Sequence, residues 1–278
     1  MGQDGSDGLM EQTIRGTFIA LDTSTAAMAA AITRNGEVLA EIESLAERNH
    51  SVHVITHLKD MLRDTCMQAE HLDAIVVGNG PGSYTGMRIA VTAAKTLAWA
   101  WEKPLVGISS LEAVAFGALH AGLGLSYGQA LPAELKGKHW LLPIMDARRG
   151  QVYSAGFSMD SQEGWSRWLN DGVRIMADWT ADIAAAAEAA SGHLTIWLTG
   201  DLSLHGDSAA SLQERCAAAG INVRLLPHVL QGSALAYLGA QRYESGVREN
   251  VHSFTPNYTQ LTEAEVKWKA KEAEEAKR

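Results

Sequence analysis

Apolar positions along the chain change period several times, and each change marks an element. "TFIALDTST", Thr17 to Thr25, is an apolar and β-branched run that ends in Asp22 and three hydroxyl residues, the pattern of a strand running into a polar turn. Ala29 to Ile32 form a second run, Asn35-Gly36 follows, and Val38, Ala40 and Ile42 then alternate. Asn-Gly between two such runs predicts a hairpin, because both central residues of a type I′ turn need positive φ. From Asn49 the period becomes helical. Val54, Leu58, Met61, Leu62 and Thr65 fall on one arc, with Asn49 or Ser51 available as cap. Ala74 to Val77 reads as a short buried strand. "GNGPGSYTG" follows it, offers Ser83 or Thr85 as N-cap, and launches a helix running to about Trp101. Leu105 to Ile108 is the next strand and "SLEAVAFGALHAG" the next helix.

The order of three strands, helix, strand, helix, strand, helix is that of an α/β lobe of the ribonuclease-H-like kind. The second half is looser. Trp140 to Met145 and Gln151 to Phe157 are two strands joined by a turn holding Asp146, Arg148, Arg149 and Gly150. "MADWTADIAAAAEAASG" is helical, "LTIWLTGD" a strand, "AASLQERCAAAG" a helix closed by Gly220, and "INVRLL" a strand. "GSALAYLGAQRYESG" is a last helix stopped by Gly246. The tail from Leu261 mixes charges and is poor in apolar residues, as expected of a frayed or exposed helix. No repeat of solenoid period is present.

Composition narrows the class. The chain has 278 residues, 46% of them hydrophobic, enough for one large domain or two lobes. Its apolar runs are broken well before a membrane span's length, and "MGQDGSDGLMEQTIRG" has no apolar core of a signal peptide. A soluble, cytoplasmic protein is expected. Cys66 and Cys216 stand in no metal or redox spacing. The formal net charge of −9 argues against a chain that holds nucleic acid unaided, since such binding rests on cationic patches that release counterions.

Candidate chemistry is sparse. "GNGPGSYTG" has no Lys after its glycines, so it is not a P-loop, and Gly78, Gly80 and Gly82 lack the spacing of a dinucleotide fingerprint. Gly80 and Gly82 either cradle a phosphate or permit the backbone angles of a turn. His50, His53 and His57 form a helical stripe beside the apolar arc, with no second cluster to complete a metal site. Asp22, at a strand end, either positions a phosphate or metal ion or caps its turn. Arg148 and Arg149 either meet an anion or are solvated at a hairpin tip.

"FIALDTSTAAMAAAI", "VVGNGPGSYTGMRIAVTAAKTLAW", "PLVGISSLEAVA" and "PIMDARRGQVYSAGF", in this order and separation, resemble the TsaB (YeaZ) family. The likeness is strong over about Phe18 to Phe157 and looser beyond, where Pro256 and Tyr258 match the family's P-x-Y ending. It implies a two-lobed α/β fold of the ASKHA type (actin, sugar kinase, Hsp70), and a subunit of the machinery that places threonylcarbamoyl on the adenosine following the anticodon of tRNA. The implied division is a leader (1–15), a first lobe (16–110), a second lobe (111–258) and a charged tail (259–278). The last helix, about 232–245, is a candidate to pack back on the first lobe.

The catalytic TsaD relatives implied by this resemblance carry a His-x-x-x-His metal pair where this chain has Ser110 and Val114. Neither residue can replace imidazole as a ligand for a transition metal, so the resemblance implies a subunit with no catalytic residues, metal or cofactor of its own. ATP and a metal ion then belong to the complex, the metal bound by TsaD. The implied partners are TsaD, a TsaE-type ATPase, tRNA through the complex, and a second copy of the chain when TsaD is absent. Val54, Leu58, Met61, Leu62, Ala94 and Ala98 are expected to include the partner-facing residues. A second reading stays open: an ATP-dependent small-molecule kinase of the same superfold, with Asp22, Gly80 and Gly82 as its nucleotide site.

Overall fold

A computed structural model describes residues 14–44, 53–129, 132, 135, 137–160, 164–190 and 192–259. The leader up to residue 13, Asn49, His50 and Ser51, and the tail beyond 259 lie outside them. The first half runs β1 (Thr17–Asp22), β2 (Met28–Arg34), β3 (Glu37–Ser44), α1 (Val54–Asp64), a 3-10 turn (Ala69–His71), β4 (Ala74–Gly78), α2 (Tyr84–Ala100), β5 (Leu105–Ile108) and α3 (Ser110–Leu123). The second runs β6 (Lys138–Asp146), β7 (Gln151–Asp160), β8 (Gly164–Ile175), α4 (Met176–Glu188), β9 (Leu194–Gly200), α5 (Gly206–Ala218), β10 (Asn222–Pro227) and α6 (Gly232–Glu244).

The sheet orders are β3-β2-β1-β4-β5 and β8-β7-β6-β9-β10. In each, the first three strands are antiparallel neighbours and the last two run parallel to the first. The two halves therefore share one topology, the duplicated ribonuclease-H-like arrangement of the ASKHA fold. β8 has no counterpart in the sequence reading. Its Asn170-Asp171-Gly172 has the composition of a turn, but these residues lie inside an edge strand whose pairing to β7 slips beside Gly156, and such irregularities relax the usual demand for alternation.

Both faces of the first sheet are covered, which is why its strands read as continuous apolar runs. Ile19, Leu21, Ile75 and Val77 face α1 and α2, whereas Phe18, Ala20, Ala74 and Val76 share a core with α3 and α6. The second sheet does the same. Leu142, Ile144, Ile196 and Leu198 pack on α4 and α5, and Leu141, Met145, Phe157 and Trp197 pack toward α3. The third helix of each half thus crosses over: α3 packs on β6, β7 and β9, and α6 on β1, β2 and β4.

Close approach makes the α6 crossover possible. A Cβ on Gly239 would lie 2.4 Å from both methyls of Val76. Gly239→Ala should gain about 1 kcal/mol of helix propensity and lose more by overpacking, for a net destabilisation of about 1–2 kcal/mol in denaturant titrations. Gly206→Ala, at the start of α5 where a Cβ meets nothing, should be neutral or slightly stabilising in the same assay.

Candidate functional site

The glycine-rich loop is engaged by its own chain. Asp22 ends β1 with its carboxylate fully inside the protein; Ser24 N–H donates to Oδ1 and Ser110 Oγ to Oδ2, each at 2.5 Å. Gly80 N–H donates to Ser110 Oγ at 2.9 Å. Ser83 N–H donates to the Ser24 carbonyl at 2.7 Å, and Gly86 N–H to Ser83 Oγ at 3.3 Å. Thr23 Oγ1 closes the ring by donating to the Gly86 carbonyl at 2.6 Å. A phosphate cradle needs such donors free and space in front of them. Here three of the donors are spent, and a Cβ on Gly82 or Gly86 would strike the carbonyl oxygen of Ser24 or Thr23 at 2.3 or 1.8 Å.

The loop is therefore a clasp joining the end of β1 to the starts of α2 and α3. Gly80 and Gly82 supply positive φ angles (+95° and +157°), and Ser83 caps α2. Burial pushes the Asp22 carboxyl up from its ordinary value, against the lowering pull of the Ser110 and Ser24 hydrogen bonds. An acid whose pKa is raised on folding contributes its stability fully below its unfolded pKa and loses it as pH rises through the folded one. Asp22 is thus enclosed and bonded to the Ser24 amide and the Ser110 hydroxyl, and the spent amides of Gly80, Ser83 and Gly86 do not favour the nucleotide site of the kinase reading.

Ser110 is wholly buried in the clasp and Val114 is buried in the α3 core. Of the histidine row, His53 and His57 stand with ring centroids 6.4 Å apart, while His50 is outside the described residues. Among the described residues no three His, Cys, Asp or Glu side chains gather where a metal ion could sit.

The six residues expected at a partner face need correction. Val54, Leu58, Met61, Leu62, Ala94 and Ala98 are all at most 8% exposed and lie in the chain's own core. The apolar arc turns toward the sheet because that is the larger apolar surface within reach. The outward faces carry other side chains, including Ile55 on α1 and Trp99 on α2, 38% and 67% exposed. Periodicity gave no hint of Trp99, since a single exposed aromatic leaves no pattern.

A C-terminal strap ties α2 to the gap between the lobes. Glu249 N–H donates to the Leu105 carbonyl, and Lys95 Nζ reaches the Phe254 carbonyl at 2.7 Å. Arg88 Nε donates to Tyr258 Oη at 2.8 Å, and its guanidinium lies 3.9 Å from the Tyr84 ring centroid. Asn257 donates from its backbone to the Asn79 carbonyl (2.8 Å) and from Nδ2 to Asp171 Oδ2 (2.9 Å). There a cavity of about 370 Å³ is lined by Asn79, Ser109, Arg167, Asn170, Asp171, Arg242 and Asn257. Its ion pairs close on themselves: Arg167 and Arg242 each reach Glu112 Oε2 at 3.1 Å, and Arg167 also bonds Asp171 at 2.5 Å.

A family model described as TsaD, tRNA N6-adenosine threonylcarbamoyltransferase, matches residues 25–268. The tRNA threonylcarbamoyladenosine biosynthesis protein TsaB of Bacillus subtilis is 33% identical over 91% of this chain and 97% of its own length. The chain belongs to the TsaB family. Escherichia coli TsaB, carrying the same description, is 32% identical over 53% of this chain and 58% of its own length. YeaZ from Pseudomonas aeruginosa superposes with a TM-score of 0.59 at 19% identity, covering 87% of this chain and 99% of that structure, a likeness of fold. TsaB relatives are thus named for tRNA threonylcarbamoyladenosine biosynthesis, and among the described residues no helix is long and apolar enough to cross a membrane.

The Asp22 clasp has a direct test. Asp22→Asn keeps the shape and an acceptor for the Ser24 N–H while removing the buried charge. Thermal unfolding followed from about pH 4 to about pH 8 should show the wild type losing stability relative to Asp22→Asn as pH rises. A constant difference would rule out a raised Asp22 pKa.

Proposed function

We propose that this chain is the non-catalytic assembly subunit of a cytoplasmic tRNA threonylcarbamoyladenosine machinery, binding and activating a TsaD-type catalytic subunit. The observation that carries this reading is the start of α3. Where the TsaD resemblance places two metal-binding imidazoles, Ser110 is committed to Asp22 and Val114 to the core. A hydroxyl already bonded to a buried carboxyl and an isopropyl group cannot hold a transition metal. The metal ion, the ATP and a TsaE-type ATPase then belong to the complex, and tRNA is reached through it.

The outer faces of α1 and α2 are the proposed partner surface, with Trp99 and Ile55 as apolar anchors. Large exposed aromatics of this kind are enriched at interface hot spots. The six buried residues act one layer down, holding both helices to the sheet. A second copy would compete for the same surface, so homodimer and heterodimer would exclude one another.

The functional test is tRNA threonylcarbamoylation in a mixture of TsaD, TsaE, threonylcarbamoyl-adenylate, ATP and substrate tRNA, with or without this chain. Product should depend on the chain, and the chain should give none in place of TsaD. Product that is unchanged by omission would sink the proposal. The surface is tested separately. Trp99→Glu and Ile55→Glu should weaken co-purification with TsaD at nearly wild-type stability, whereas Leu58→Asp should cost roughly 3 kcal/mol or more by burying an unpaired charge.

A further inference from the structure

Two hairpin turns in this protein hold residues in the left-handed region, one across a two-residue loop and the other across a three-residue loop. Between β2 and β3, Asn35 and Gly36 take φ of +51° and +82°, and they are the residue types that such a turn favours. Between β6 and β7, Arg148, Arg149 and Gly150 take φ of +66°, +55° and +73°. The turn is fixed from both sides. Ala147 N–H donates to the Gln151 carbonyl and Gln151 N–H to the Arg148 carbonyl, each at 2.9 Å, and Met176 N–H at the start of α4 holds the Gly150 carbonyl at 2.9 Å.

Arginine has nothing to offer a left-handed backbone, and its Cβ makes that conformation costly. Strain kept where Asn or Gly would cost less points to work done by the side chains. Both arginines are exposed, and neither forms an ion pair among the described residues. Four other arginines among the described residues are committed: Arg63 to Asp60 and Asp64, Arg167 and Arg242 to Glu112, and Arg88 to Tyr84 and Tyr258.

We infer that the Arg148–Arg149 turn is a contact for the phosphodiester backbone of RNA, presenting two uncommitted guanidinium groups from a fixed backbone. Guanidinium forks match phosphate oxygens bidentately, and a rigid turn leaves little backbone entropy to lose on contact. With a net charge of −9, the chain would hold RNA only within an assembly, and a localised cationic pair would then set register against one or two phosphates. The inference rests on the reading above that this chain serves a tRNA-modifying complex.

The test replaces the pair with residue types that accept positive φ more readily, Arg148→Asn/Arg149→Gly, in the full chain. The melting temperature should rise by about 3 °C or more as strain is relieved. Affinity of the assembled complex for substrate tRNA should fall about 10-fold, and the slope of log affinity against log salt should shrink by about 1–2. Arg148→Lys/Arg149→Lys should keep most of that slope.

Unchanged tRNA affinity and slope in the Asn-Gly variant would overturn the inference, whatever the melting temperature does. So would lost association with TsaD at unchanged tRNA affinity, which would make the turn a protein contact. ATP titrated against the isolated chain and weakened only in the variant would assign the phosphate to a nucleotide instead. A wild-type chain that supports no modification would count against the proposed function, whereas this inference is judged on tRNA binding by the assembled complex.

Discussion

The exchange of α3 and α6 between the sheets is the constraint on which this architecture depends. Each half makes a five-stranded sheet with apolar residues on both faces, and its own first two helices cover only one of them. The remaining face of each sheet is covered chiefly by the helix that ends the other half, with Phe18, Val76, Phe116, Phe157, Trp197 and Tyr237 in one shared core. Neither half can desolvate its sheet alone, so the two are bound by the main driving force for folding. Gly239 in α6 follows from this, because a Cβ there would strike the methyls of Val76 in β4.

The same crossover sets the fate of the glycine-rich loop. Because α3 has to begin at the edge of the first sheet and end against the second, its first residues lie beside Asp22 and Gly80. Ser110 then becomes the link between them. What resembles a phosphate cradle in composition is a clasp in three dimensions, with three of its amide donors spent internally and the Asp22 carboxylate enclosed against the Ser24 amide and the Ser110 hydroxyl. The clasp fixes the start of α2, the helix whose outer face carries Trp99. The strap from Glu249 to Tyr258 fastens that helix again from outside, through Lys95, Arg88 and Tyr84.

Much of the fold was legible in the chain. β1 to β5, the Asn-Gly hairpin, the Ser83 cap and the Gly246 stop follow from local propensity and period, both of which are properties of neighbouring residues. β8 was hidden because its Asn-Asp-Gly stretch is tolerated only by an irregular edge pairing. The duplication was hidden as well, because topology can repeat while sequence does not. At the candidate site, Asp22, Gly80 and Gly82 were found but their partners were not: Ser110 lies 88 residues from Asp22, and nothing local announces that contact.

The sequence by itself determined which residues are apolar, where turns must have positive φ, and, through its motifs, the family to which the chain belongs. Only the tertiary structure decided which way each surface turns. Periodicity places Val54, Leu58, Met61 and Leu62 on one arc of α1, yet an arc has no preference between a partner and the chain's own sheet until the sheet is built beside it. The same holds for Asp22, whose carboxylate is a ligand or a clasp according to what folds over it. Arg148 and Arg149 are the converse case, since two arginines in a turn look ordinary in sequence and only their left-handed backbone shows what holding them there costs.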